Sequence, residues 1–211
     1  ELEAAHAKVL SPTALLARLE RRLPLLVGGT RDAPARQRTM RDTIAWSHDL
    51  LPADERVLMR RLAVFSGGFT LEAADAGSGG AQYTFPLIAS LVDRSLIGRV
   101  DDGTGEPRFR MLETIREFAW EQLLASGEED ATRWRHAMWC VAMAERCDIR
   151  NCSSTEVRVR LDALEAERDN VRAALSWLLE SGSVETALHL GALYHFLWVH
   201  RGPAREGRAW I

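Results

Sequence analysis

The chain has 211 residues, 46% of them hydrophobic, with a net charge of −3. This is enough to bury a real core and excludes a disordered tail or a strongly basic nucleic-acid binder. No apolar run approaches the roughly 20 residues of a membrane span, and the acidic first residues are not a secretory signal.

In chain order, residues 1 to 10 read as helical, and Ser11 followed by Pro12 starts a second helix as N-cap and first helical residue. Gly28-Gly29 ends it, and Thr30 to Arg36 reads as a linker. Helical spacing returns from Thr39 through Met40, Ile44, Ser47 and Leu51, until Pro52 interrupts it. A helix carrying Val57, Leu58, Leu62 and Phe65 is expected to stop at Gly67-Gly68. Thr70 is placed to cap a short helix from Leu71 to Ala76, with Gly77-Ser78-Gly79-Gly80 as a flexible loop. Pro86 opens a further helix from Leu87 to Arg94. Ser95 to Val100 and Arg108 to Leu112 are short extended runs around a Gly- and Asp-rich loop, a hairpin signal.

Helices followed by a hairpin and another helix predict a winged-helix module. After Ser126-Gly127 the pattern is helical throughout. One helix is expected from Glu129 to Cys147, with Trp134, Met138 and Val141 on a face. Another is expected from Val157 to Glu180, with Leu161, Leu164, Val171, Leu175 and Leu178 in a sustained stripe, and a third from Val184 to Val199. The fold class is therefore mainly α, a winged helix with a small β-hairpin followed by an antiparallel helical array. The chain starts inside a helical pattern and ends on Trp210-Ile211 in another, so a fragment of a longer polypeptide is expected.

Candidate chemistries are few. The sole lysine, Lys8, has no glycines before it, and Gly77 to Gly80 lacks both a lysine and a preceding strand, so no phosphate-binding loop is present. Ser47-His48-Asp49 are helix neighbours whose side chains diverge, the opposite of a catalytic triad. His136 and Cys140 share a helix face but do not make a recognised zinc spacing, so no metal is expected. Cys140, Cys147 and Cys152 are expected as free thiols. Glu165, Glu167 and Asp169 read as the solvated side of an amphipathic helix. For DNA, the helix "FPLIASLVDR" (85–94) is mostly apolar and suited to burial against protein, which leaves Arg56, Arg60 and Arg61 as the only backbone-contacting group.

The strings "LSPTALLARLERRLPLLVGGTRDAPARQRTMRDTIAWSHDLLPADERVLMRRLAVFSGGFTLEAA", "LVDRSLI", "RFRMLETIREFA" and "LEAERDNVRAALSW" closely resemble the middle of large bacterial regulators of the signal-transduction ATPase (STAND) class, of LuxR and SARP type with an NB-ARC-like core. The resemblance implies that residues 1–30 end a helical subdomain after an absent nucleotide-binding domain, 37–126 form the winged helix, and 127–211 begin a TPR-like array. It implies a non-enzymatic, cytoplasmic segment that couples an upstream NTPase domain to a sensor, with no cofactor of its own and ATP or ADP in the full-length protein. The implied partners are that upstream domain, a protein or small-molecule inducer at the repeats, and DNA through a domain elsewhere. In related NB-ARC proteins a Met-His-Asp motif at the strand-to-helix junction brings a histidine to the β-phosphate of ADP. Met111, Leu112 and Glu113 stand there, and leucine cannot donate a hydrogen bond. The nucleotide-sensing candidates are therefore Arg110, Leu112, Glu113 and Arg116, with either arginine able to offer a bidentate fork. The alternative is a winged helix that binds DNA itself, with a helical protein-interaction tail. Gly202, Gly207 and the aromatics Trp177, Phe196, Trp198 and Trp210 belong to the array reading, and buried packing is their simplest role.

Overall fold

A computed structural model describes residues 40–80, 84–100, 106–147 and 152–201. The expected helices within 1–30, the hairpin loop at 101–105, and Gly202, Gly207 and Trp210 lie outside them. The described chain is mainly helical. Its elements are α1 (Met40–Asp49), α2 (Ala53–Leu62), β1 (Phe69–Thr70), α3 (Leu71–Ser78), α4 (Thr84–Asp93), β2 (Gly98–Val100), β3 (Arg108–Arg110), α5 (Glu113–Ser126), α6 (Glu129–Arg146), α7 (Ser154–Ala166), α8 (Arg168–Glu180) and α9 (Val184–His200). The strands form one small sheet in the order β1-β3-β2. No described helix is long and apolar enough to cross a membrane.

The residues fall into two compact units. The first takes its described residues from Glu1–Ala63, Phe85–Arg99 and Met111–Gly127, and the second from Val64–Thr84, Val100–Arg110 and Glu128–Ile211.

In the first unit, Pro52 separates α1 from α2, because a residue without an N–H and with fixed φ begins a helix more readily than it continues one. Asp54 and Glu55 in the first turn of α2, and Arg60 and Arg61 in its last, complement the helix dipole. Helix α5 receives α1 and α2 on its buried side, where Ile115, Phe118, Ala119 and Leu123 meet them. His48 lies edge-on to the Phe118 ring at 5.4 Å. Gly127, at φ 72°, ends α5 in the left-handed conformation that glycine adopts without strain.

In the second unit, β1 pairs antiparallel with β3 through Phe69 opposite Phe109 and Thr70 opposite Arg108. The Thr70 hydroxyl accepts the Ala73 amide at 3.2 Å, the N-cap expected from sequence. Helix α3 runs two residues longer than expected, because Gly77 and Ser78 are helical and buried rather than part of a loop. A methyl group at Gly77 would stand 2.9 Å from the Phe65 ring, so glycine is needed where the helix meets that aromatic. Helix α3 packs on α6, and α6 also packs on α8 and α9.

Three neighbours on α6 explain a second difference from expectation. Its buried face is Thr132, His136, Ala137, Trp139, Cys140, Met143 and Ala144. Trp134 is 42% exposed, and Met138 and Val141 are half-buried. The single helix expected over 157–180 is two, α7 and α8, broken at Glu167, whose φ of −102° and ψ of 10° leave the helical region. Ser153 and Glu156 form a complete capping box at the start of α7.

Candidate nucleic-acid and regulatory sites

Among the described residues, three places bear on binding or regulation. The first is α4, which follows α2 and α3 in chain order. Its inward residues Ile88 and Leu91 are buried, and Leu96 and Ile97 just beyond the helix continue that core. Phe85 is 64% exposed, and Pro86, Ala89, Asp93 and Arg94 also face outward. Within the described residues its outward face is thus open while its inward face is enclosed. Its outward face is largely apolar with one cation. Ser90 donates its hydroxyl to Glu55 Oε1 on α2 at 2.7 Å, and Arg94 Nε lies 3.4 Å from the other carboxylate oxygen. The buried Glu55 thus pins α4 to α2. The chain leaves α4 through Ser95, the one described non-glycine residue at positive φ (59°), with its amide on the Val92 carbonyl. Arg99 on β2 is exposed.

The second place is the strand-to-helix junction. Arg110 ends β3 and is exposed. Met111 is buried, whereas Leu112 is 67% exposed and stands at the N-cap of α5 without a side-chain cap. Glu113 opens the helix and is held by Arg116, with Nη2 to Oε1 at 2.6 Å and Nε to Oε2 at 3.2 Å. The third Arg116 nitrogen donates to the Ala63 carbonyl at 3.2 Å. The Arg116 fork is therefore occupied by protein, and a phosphate there would have to displace Glu113. Arg56, the backbone-contacting candidate with Arg60 and Arg61, turns its Nε onto the Leu51 carbonyl at 2.8 Å.

The third place was not read as a site from sequence. Inside the second unit, Arg108 on β3 pairs with Glu167, both side chains being more than nine-tenths buried, and Arg108 also donates to the Ala166 carbonyl at 3.3 Å. Glu167 Oε2 accepts from Asn170 Nδ2 at 2.6 Å. The same Asn170 amide donates to the Gly68 carbonyl at 2.8 Å, while Oδ1 accepts the amides of Ser66 at 2.9 Å and Gly67 at 3.4 Å. Glu167 is thus not on the solvated face assigned to it with Glu165 and Asp169. A signal was available: the stripe Leu161, Leu164, Val171, Leu175 passes through position 167, so a charge there is directed inward. Only the tertiary fold supplies its partner, 59 residues away.

His136 and Cys140 do come together, with 3.9 Å between Nε2 and Sγ, both side chains being buried. Phe65 meets the imidazole edge-on at 4.8 Å, and Trp139 stacks on it. Burial pushes the His136 pKa down to about 4 and the Cys140 thiol well up, so both are neutral near pH 7. All three described cysteines are free thiols. Among the described residues no group of His, Cys, Asp and Glu has the geometry of a metal site.

Residues 51–124 match the family described as Winged helix-turn-helix domain. Over its whole length the chain is 39% identical to proteins of Mycobacterium tuberculosis and Mycobacterium bovis whose names give them as candidate HTH-type transcriptional regulators. It spans about a quarter (24%) of their length. It is also 39% identical, over 64% of its residues and 36% of the relative, to an uncharacterized protein of Mycobacterium tuberculosis. No solved structure matches.

Proposed function

We propose that this chain is the winged-helix segment of a cytoplasmic transcriptional regulator, that its winged helix contacts duplex DNA, and that α6 to α9 form a helical, TPR-like surface for a protein or small-molecule inducer. The observation that carries this reading is the winged helix-turn-helix match over residues 51–124, together with the regulator names of the relatives. The side chains set the kind of contact. The outward face of α4 offers Phe85, Pro86 and Ala89, which suit thymine methyl groups but cannot read base edges by hydrogen bonds. Arg94 and Arg99 are exposed and serve phosphates. Affinity is therefore mainly electrostatic and weakly sequence-specific. Fluorescence anisotropy with random duplex tests this. Binding should weaken steeply from about 50 to 200 mM salt, and Arg94→Glu with Arg99→Glu should lower the log–log salt slope by about 2, roughly 0.9 for each phosphate left without its arginine. No binding even at the lower salt sinks the reading.

A second reading is favoured by the exposed Phe85 and Leu112: that the winged helix docks on a nucleotide-binding domain of the same full-length protein and follows its ATP or ADP state, as the STAND resemblance implies. Apolar side chains presented with one paired cation suit a protein surface better than a phosphate backbone. Of Arg110, Leu112, Glu113 and Arg116, Arg110 is the stronger phosphate candidate, because Arg116 is already held by Glu113 and Ala63. ADP titration of the full-length protein discriminates: Arg110→Ala should weaken binding more than Arg116→Ala, and equal affinity in both variants and wild type excludes the junction from nucleotide sensing.

A further inference from the structure

The family match treats residues 51–124 as one domain, yet β1, α3 and β3 belong to the compact unit that holds α6 to α9. Within that unit the polar contacts converge on one place. Asn170 uses its amide group and its carbonyl on Glu167 and on the backbone of Ser66, Gly67 and Gly68. Glu167 uses one oxygen on Asn170 and the other on Arg108. The turn is fitted to this arrangement: a Cβ at Gly67 would stand 3.2 Å from the Asp169 Cβ, and one at Gly68, where φ is +85°, 2.7 Å from the Phe109 carbonyl oxygen. Only two glycines allow the backbone so close to both α8 and β3.

We propose that Arg108, Glu167 and Asn170 form a latch through which the α7–α8 junction of the helical array sets the conformation of the Ser66–Gly68 turn and of β3. The physical basis is that a buried charged network acts as a unit. Satisfied, it specifies a single arrangement; with one member displaced, the remaining buried charge is strongly unfavourable, so its bonds form and break together. Glu167 is also the residue at which the helix breaks, so a change in the angle between α7 and α8 moves the carboxylate that holds both Arg108 and Asn170. A ligand or protein that reshapes the array at this junction thereby reaches winged-helix elements directly, without a relay through the core.

Hydrogen exchange on the whole chain, read by peptide, tests the latch. In Glu167→Gln one amide oxygen must replace two carboxylate oxygens, and its NH2 group faces a donor whichever way it turns. Exchange in the peptides covering 66–70 and 108–110 should quicken roughly tenfold, with α6 and α9 unchanged. Arg108→Met with Glu167→Leu removes both charges and leaves none unpaired, so it keeps the fold if Glu167→Gln does not; the 66–70 peptide should still quicken, because Asn170 loses its orienting acceptor. Coupling is reciprocal, so Gly68→Ala should quicken exchange in the first turn of α8. A uniform rise across α6, α8 and α9 in these variants, or no rise at 66–70, overturns the proposal and leaves an ordinary buried ion pair.

Discussion

Ser90 on α4 and Glu55 on α2 are joined by a 2.7 Å hydrogen bond that fixes α4, with its outward face, to α2. Arg94, one turn further, shares the same carboxylate. The pairing explains how a buried glutamate is tolerated among Leu58, Met59 and Leu62, and it ties the one cation on the outward face of α4 to a neutralising partner.

Replacing Glu55 with alanine should therefore have two effects of opposite sign. Stability falls by about 1–3 kcal/mol, because the Ser90 hydroxyl loses its buried acceptor. Duplex affinity, if the DNA reading holds, rises at low salt because Arg94 is released and a negative charge removed. Urea denaturation and anisotropy on the same preparation separate the two, and a variant that loses stability and gains no affinity argues for docking on protein.

His136 predicts a pH dependence. Its pKa is near 4 in the folded chain because burial among Phe65, Trp139 and Cys140 disfavours the imidazolium, with Arg133 adding to the effect and a hydrogen bond with Asn170 opposing it. The ordinary value is about 6.5, so between these values the unfolded chain binds the extra proton. This contribution to stability is complete above pH 6.5 and is lost progressively as pH falls toward 4, on the order of 3 kcal/mol in all. Thermal melts from pH 7.5 to 4.5 should show the decline, and His136→Phe should flatten it. An equal slope in both proteins would place the acid sensitivity elsewhere.

Gly77 is a packing glycine in a helix. Substitution by alanine raises helix propensity by roughly 1 kcal/mol in an open position. Here the added methyl meets the Phe65 ring at 2.9 and 3.0 Å, and that ring is itself wedged against Phe69, His136 and Trp139. The net effect expected is destabilisation by about 1–3 kcal/mol. If Gly77→Ala costs nothing further in a Phe65→Leu background, the ring is confirmed as the cause, whereas a stabilised single variant contradicts the packing.

Ser95 predicts the reverse. It holds φ 59° between α4 and β2, a conformation that disfavours a Cβ. Ser95→Gly should stabilise the chain by up to about 1 kcal/mol, the relief of strain being partly offset by added freedom in the unfolded state. A chemical denaturation midpoint that moves down instead would show that the serine side chain contributes more than the strain removes.

Much of the secondary structure was legible in the sequence, because it rests on local causes. Pro52, the Thr70 cap, the glycine after α5 and the three-and-four spacing of α8 act over a few residues, and each appears where the pattern placed it, whereas α2 ends at Leu62, short of Phe65 and of the Gly67-Gly68 stop that the pattern placed. Readings that needed a partner went astray. Gly77 and Ser78 suggested a loop until the Phe65 ring accounted for a glycine inside a helix, and the face of α6 was misjudged at Trp134 because three neighbouring elements, not its own spacing, choose what it buries. Glu167 shows the limit most clearly. By composition it belongs with Glu165 and Asp169 on a wet helix face, and its place on the apolar stripe signals only that it points inward. That it breaks the helix, pairs with Arg108 and orients Asn170 toward the Ser66–Gly68 turn depends on strands and turns far away in sequence. Burial makes an unpaired charge untenable, so the sequence determines that some partner must exist, and only the tertiary structure decides which one.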